Sequence, residues 1–235
     1  MSEAALTLSD MSSGYKDSIV VRNVSLSVHP GEIVALVGKN GMGKTTLLKS
    51  IMGYLPKQNG SVRLFGKDVT RQPAHRVARS NIAYAPQSRS LFHDLNIRDN
   101  LRLGLSKDKL FDERFAEVED LFPFLKGRMA QRAGTLSGGE QKMLLIARAL
   151  MVRPALILID EVTEGMQPSV IDRVATALLH QRKTHGTSIL FVEQNVPFAV
   201  AVADRYTVLK LGEIVETGDT AGADCQRDIM RHLSV

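Results

Sequence analysis

The sequence predicts an α/β domain with a core of buried parallel strands, an antiparallel β layer at its N-terminus and an inserted α-helical subdomain. Three observations carry this reading. Short, mostly apolar runs recur at 33–37, 82–85, 155–159 and 187–192, the pattern of strands buried on both faces. Residues 5–28 instead alternate apolar and polar positions, as half-buried antiparallel strands do. From about Ser88 to Leu136 the chain turns charged and takes helical spacing. The 235 residues suffice for one large α/β domain. A hydrophobic content of 44 % and a charged content of 23 % suit a globular chain.

In the N-terminal layer, Leu6, Leu8, Val21, Val24, Leu26 and Val28 mark two or three strands with a turn near Lys16 and Asp17. Tyr15 lies in this layer, where its ring either packs the small sheet or stacks on a purine. His29-Pro30-Gly31-Glu32 breaks the pattern. The apolar run 33–37 then delivers Gly38-Lys39-Asn40-Gly41-Met42-Gly43-Lys44-Thr45-Thr46, and a helix reads on from Leu47 to Met52. This is G-x-x-x-x-G-K-[ST] in the strand–loop–helix setting it requires. Backbone N–H groups and the helix dipole together hold a phosphate there. Each residue from 38 to 46 is therefore a candidate nucleotide contact.

A loop at 55–60, a strand at 61–65, a turn at 66–68 and a short helix at 73–80 follow. The strand at 82–85 ends at Pro86-Gln87. The helical stretch carries Leu101, Leu103, Leu105, Phe115, Val118 and Leu121. Pro123 ends or kinks one of its helices near Leu121. With the helix after it, this stretch forms a helical subdomain of about 88–151 within a single domain, 1–235, whose core is 1–87 and 152–235.

Leu136-Ser137-Gly138-Gly139-Glu140-Gln141 opens the next helix. Ser137 and Glu140 have the spacing of a capping box. Two glycines in a first turn cost roughly 1 kcal/mol each relative to alanine. They make sense where a ligand must approach the backbone, and a bare helix N-terminus is an anion site. The run 155–159 delivers Asp160 and Glu161 to the carboxyl edge of the sheet, where ligands sit. Asp160 suits a Mg²⁺ role through bound water. Glu161 can orient a water on a γ-phosphate. A helix at 171–179, a strand at 187–192 ending at Glu193-Gln194-Asn195, a helix through Ala203, a hairpin around Leu211-Gly212 and a tail with one short helix complete the chain.

The 30 basic and 25 acidic residues give +5, spread along the chain with no basic arm, so no nucleic-acid partner is expected. The single cysteine, Cys225, excludes an internal disulfide and fits a reducing compartment. The first residues lack a signal-peptide pattern, and no apolar run is long enough to cross a bilayer. A membrane role would come through a partner.

The P-loop, the hexapeptide 136–141 and the apolar strand into Asp160-Glu161, in this order, resemble the ATP-binding cassette (ABC) ATPases over essentially the whole chain. The resemblance implies a P-loop NTPase core with a RecA-like mixed sheet, and ATP and Mg²⁺ as cofactors. It implies that Tyr15 stacks on adenine and that Thr45, Gln87 and Asp160 stand at Mg²⁺. Gln87 would also sense the attacking water, and Glu161 would be the general base. Ser137 and Gly139, with Gly138 between them, would meet the γ-phosphate held by the P-loop of a second ATPase subunit, homo- or heteromeric.

Three positions depart from the family pattern. Gln194 replaces a histidine; it keeps an amide donor for a catalytic hydrogen bond but cannot titrate. Glu164-Gly165-Met166-Gln167 replaces a segment with an aspartate. Val162 replaces a proline that would stiffen the loop. The first two departures look like ATPases of bacterial uptake systems for branched-chain amino acids and related amides, including urea, and the wording of 163–169 leans toward the urea branch. This implies an importer's energy-coupling subunit at the cytoplasmic face of the inner membrane. Its partners would be permease subunits and, indirectly, a periplasmic solute-binding protein. Leu91 and Phe92 would grip a permease helix, or else pack internally. Competing classes are an exporter ATPase, a soluble ABC protein acting on ribosomes or DNA, and a non-hydrolysing regulatory binder.

Overall fold

A computed structural model describes residues 3–233 apart from 17, 88–90 and 162. Asp17 of the expected turn, the start of the helical stretch at Ser88, and Val162 lie outside the described residues.

Strands β1 (Leu6–Tyr15) and β2 (Ser18–Val28) form an antiparallel hairpin. β3 (Ile33–Val37) leads through the P-loop into α1 (Lys44–Ile51). β4 (Lys57–Leu64) and β5 (Lys67–Asp68) precede α2 (Ala74–Val77) and β6 (Ile82–Ala85). The helical part holds α3 (Ile97–Arg102), α4 (Phe111–Leu121) and α5 (Gly138–Met151), with one 3-10 turn between α3 and α4 and two between α4 and α5. β7 (Leu156–Asp160), α6 (Pro168–His185), β8 (Ser188–Glu193), α7 (Val196–Val202), β9 (Arg205–Lys210), β10 (Glu213–Asp219) and α8 (Cys225–Leu233) follow.

The strands fall into two sheets. One has the order β2-β1-β4-β5 and is antiparallel; the other has the order β10-β9-β3-β8-β7-β6. In the second sheet β6, β7, β8, β3 and β9 are parallel and β10 pairs antiparallel to β9. In the larger sheet β3, β7 and β8 are buried on both faces, and their period of two divides the core. Ile33, Ala35, Val37, Ile157, Ile159, Ile189 and Phe191 face α5, α6 and α7 in one apolar cluster. Val34, Leu36, Leu156, Leu158, Leu190 and Val192 face α1 and the small sheet in another. Each such buried aliphatic side chain contributes roughly 1.5–3 kcal/mol. The first cluster also contains Ile97, Leu101, Phe111, Val118 and Phe122, so it runs on into the helical part.

The structure corrects four sequence-based boundaries. α1 begins at Lys44 rather than Leu47, which places Lys44, Thr45 and Thr46 in its first turn. β4 begins at Lys57, four residues before the expected strand, because Ser12 and Ser13 of β1 pair with Asn59 and Lys57. Polar composition suggested a loop there; pairing with a neighbour overrides it. The short helix is confined to 74–77 within the expected 73–80. α6 runs from Pro168 at its first position to the left-handed Gly186 just past its end, well beyond 171–179. α4 ends at Leu121 before Pro123, as proline chemistry requires.

Leu91 packs against the first cluster, whereas Phe92 is 58 % exposed. The internal-packing alternative thus holds for Leu91. The backbone at Phe92 is fixed by Asn100, which is fully buried. Its amide accepts from Phe92 N at 3.0 Å and donates to the carbonyls of Phe92 (3.0 Å), Leu95 (3.3 Å) and Asn96 (3.0 Å). Asn100→Leu removes these bonds and leaves a buried amide donor without its acceptor. The expected loss is about 2 kcal/mol of stability, read as a lower urea midpoint at unchanged m-value.

Candidate nucleotide site

The site is assembled by parallel register. Val37 lies beside Glu193, and Asp160 beside Val192, so β3, β8 and β7 end at one edge. β6 flanks β7 and carries the chain to Gln87 at that same edge. This is the carboxyl edge of a parallel sheet, where loops can converge on a ligand.

Gly38 turns out of β3 with its N–H donated to Glu193 O at 3.2 Å. A Cβ there would lie 2.5 Å from Leu209 O, so only glycine fits. Gly43 sits at φ +101, a conformation open to glycine, and starts α1. The N-terminus of α1 has no side-chain cap and no acidic residue in its first turn. Its amide donors and positive dipole end are left for an outside anion.

Lys44 is 4 % exposed. Its Nζ donates to Gly38 O at 2.7 Å and Lys39 O at 2.9 Å, and lies 3.8 Å from Glu161 Oε1. Burial holds its pKa below the usual lysine range, while the Glu161 and Asp160 carboxylates oppose that shift. Thr45 Oγ1 donates to Asp160 Oδ1 at 3.0 Å, and the Tyr84 hydroxyl donates to Asp160 Oδ2 at 3.3 Å. Burial pushes the pKa of both Asp160 and Tyr84 upward.

Glu161 follows with φ +50, an unusual left-handed position for a side chain with a Cβ. Gln87 Nε2 donates to Glu161 Oε2 and also to Glu164 Oε2, the latter at 2.9 Å. Burial, and then the adjacent Glu164 carboxylate, push Glu161 up to about 7. Glu164 is held below the usual carboxylate range by the Gln87 bond and by Glu161. Gln194 Nε2 donates to Asn40 Oδ1 at 2.7 Å, tying the end of β8 to the P-loop.

Ser137 begins α5 with both arms of the expected capping box. Arg128 Nη1, 2.5 Å from Glu140 Oε1, holds the box from the side. At Gly138 and Gly139 an added Cβ meets nothing within 4 Å. Packing inside this chain therefore gives no reason for glycine at either position. Ser137, Gly138 and Gly139 line a cleft of about 530 Å³ with Gly165, Gln167 and Arg173; residues 38–46 are not part of its lining. Tyr15 is 45 % exposed and lines a different cleft of about 590 Å³ with Lys49, Tyr54, Tyr84 and Arg148, again without residues 38–46. Of the residues singled out in the sequence, the structure brings the P-loop set, Asp160, Glu161, Gln87 and Gln194 to one edge and leaves Ser137–Gly139 and Tyr15 in separate clefts.

Three residues at this edge escape the sequence pattern. Tyr84 reads as part of a buried strand, yet its hydroxyl reaches Asp160. Lys142 lies just past the hexapeptide 136–141 and belongs to no motif, yet its Nζ reaches the backbone at Glu161 and Glu164. Glu193 is 3 % exposed and accepts from the N–H groups of Thr163 (2.6 Å), Gln194 (2.9 Å) and Asn195 (3.1 Å). A carboxylate closing an apolar run is the one signal that marks Glu193 in advance.

Residues 21–164 match the ABC transporter family. The chain belongs to that family. It is an ATPase, with the ATP-binding domain of that family. Among curated relatives, the chain is 39 % identical over 213 residues to the high-affinity branched-chain amino acid transport ATP-binding protein BraG of Pseudomonas aeruginosa, covering 89 % of this chain and 91 % of that protein. It is 37 % identical over 223 residues to the lipopolysaccharide export system ATP-binding protein LptB of Escherichia coli K12, covering 92 % and 90 %. Its fold matches the crystal structure of a nucleotide-free ATP-binding cassette from an ABC transporter, with TM-score 0.85, 22 % identity and coverage of 98 % and 96 %.

The donor set fits a hard cation. Thr45 Oγ1 and Asp160 offer oxygen atoms beside the P-loop, and Mg²⁺ prefers few protein oxygens with water and phosphate as its other ligands. Among the described residues no three His, Cys, Asp or Glu side chains gather as a metal cage. For this ABC ATPase, Gln194→Leu removes the amide bond to Asn40. The expected loss is about tenfold in ATPase rate, the equivalent of ~1.4 kcal/mol. Gln194→His keeps a polar contact and is expected to stay within about threefold. Steady-state phosphate release checks both.

Proposed function

We propose that this ABC ATPase is the energy-coupling subunit of a bacterial importer for branched-chain amino acids. The similarity to BraG carries the solute reading, and the separation of the P-loop edge from the Ser137–Gly139 cleft within one chain supports a site shared between two subunits. Each is half of an anion site. A second ATPase subunit brings its helix N-terminus to this P-loop, and this chain's Ser137, Gly138 and Gly139 serve the partner's γ-phosphate. Closure excludes water and strengthens each charge interaction with the phosphates.

Lys44 and the α1 N-terminus supply positive potential to the phosphates. Thr45 and Asp160 would hold Mg²⁺, with Gln87 as a further candidate contact, and Tyr84 orients the Asp160 carboxylate. When bound, Mg²⁺ offsets the charge of the β- and γ-phosphate oxygens. Glu161 takes the proton of the attacking water. Its raised affinity for protons suits a base working near neutrality. Gln87 orients Glu161, Gln194 steadies Asn40 of the loop, and Tyr15 stacks on adenine.

The coupling surface is a groove of about 530 Å³ in which Phe92, Leu103 and Val152 are exposed apolar side chains. It suits a short apolar helix of a permease subunit, and Phe92 is its outward anchor. No helix among the described residues is long and apolar enough to cross a membrane, so attachment to the cytoplasmic face would run through that permease. A periplasmic solute-binding protein would deliver the solute. The similarity to BraG supports branched-chain amino acids. The Thr163–Ser169 wording supports a urea or short-amide importer as a second reading, and the similarity to LptB keeps an export role as the alternative class.

Deletion of the gene is expected to abolish high-affinity leucine uptake while urea uptake persists, measured with radiolabelled solutes. Wild type restores leucine uptake, and Glu161→Gln does not. Phe92→Ala lowers uptake at least about fivefold while ATPase activity of the assembled complex stays within about twofold. Loss of urea uptake alone moves the solute to the second reading; loss of neither favours export.

A further inference from the structure

Lys142 lies in the second turn of α5, whose first turn carries Gly138 and Gly139. Its Nζ donates to the carbonyl oxygen of Glu161 at 3.2 Å and to that of Glu164 at 2.5 Å. The same nitrogen lies 3.9 Å from Glu164 Oε2, and the side chain is only 21 % exposed. One ammonium therefore bridges both ends of the four-residue segment 161–164.

That segment needs a restraint. Glu161 begins it at φ +50, a left-handed conformation that is unfavourable for a residue with a Cβ. Such a conformation persists only where the surroundings over-determine it. Within the segment the sequence has Val162, where the family pattern has a proline whose ring would fix the chain covalently. Gln87 holds the Glu161 carboxylate, and the Glu161 N–H is donated to Val192 O at 3.1 Å. The carbonyl side of Glu161 and the far end of the segment are held by Lys142. Bonds from a charged donor are roughly twice as strong as neutral ones.

We infer that Lys142 is a positioning residue for Glu161, binding the carbonyls of Glu161 and Glu164 and so fixing the carboxylate's loop to the helix whose N-terminus forms the other half-site. The inference rests on the reading of Glu161 as the base. Ser137 and Lys142 are five residues apart on a continuous helix, about 7.5 Å along its axis. A displacement of α5 when nucleotide closes on Ser137–Gly139 is carried rigidly to the Glu161 loop. One chain's grip on the neighbouring nucleotide then sets the geometry of its own carboxylate.

The test uses the full chain with Lys142→Met, Lys142→Arg and, as reference, Glu161→Gln. Backbone hydrogen exchange over 160–167 is measured beside steady-state ATP hydrolysis. Lys142→Met should speed exchange in 160–167 about tenfold and leave β3 and β8 unchanged. It should lower kcat about tenfold or more, since small misplacements of catalytic groups are costly, and keep the ATP KM within about twofold. Lys142→Arg, which retains a cationic donor, should restore both readouts to within about threefold of wild type. Unchanged local exchange, unchanged kcat, faster exchange throughout the chain, a KM rise matching the kcat loss, or failure of arginine to restore function would each overturn the inference. Full activity in Glu161→Gln would overturn the base reading instead. An inactive Glu161→Gln beside a fully active Lys142→Met removes Lys142 alone.

Discussion

In the register of β3, β8 and β7, Val37 lies beside Glu193 and Asp160 beside Val192. This places the P-loop, Glu193 and Asp160 at one edge within hydrogen-bonding range of each other's loops. A slip of one residue in β7 would turn Asp160 to the opposite face and part it from Thr45. The register is itself set by the two apolar clusters. Ile157, Ile159, Ile189 and Phe191 must face one way while Leu156, Leu158, Leu190 and Val192 face the other. The chemistry at the edge is thus held in place by aliphatic packing that never touches a ligand.

The charges at that edge are balanced at short range. Lys44 is buried against Glu161 and donates to two P-loop carbonyls, which offsets part of the desolvation that burial imposes on the ammonium. Glu161 and Glu164 share the amide of Gln87 and push each other's proton affinity apart. Two adjacent carboxylates with divergent proton affinities are the arrangement from which acid and base roles are drawn. Glu193 is consumed by three backbone donors and acts as a fixed strut between β8 and the loop after β7.

Features encoded by neighbours in the chain are legible in the sequence alone. The P-loop, the capping box at Ser137, the break before Pro123 and the buried strands depend on spacing and side-chain type, and they stand in the fold where the sequence puts them. The start of β4 is hidden because its polar residues become a strand only through pairing with the bulged end of β1. The roles of Tyr84 and Lys142 are hidden for a related reason. Each residue looks ordinary in its own element, and each reaches Asp160, or the backbone of Glu161, across a gap in sequence that periodicity does not encode. Leu91 and Phe92 are adjacent and both apolar; only the fold separates the packed one from the exposed one.

Gly138 and Gly139 have open space where a Cβ would stand. Alanine has the better helix propensity by roughly 1 kcal/mol per position. A selection that scored folded chain alone, by yield or heat resistance, would favour replacing both. Such a selection would be blind to whatever approaches α5 from outside the chain. The two glycines mark a place where thermostability and work pull in opposite directions, and where consensus design for stability should leave the sequence untouched.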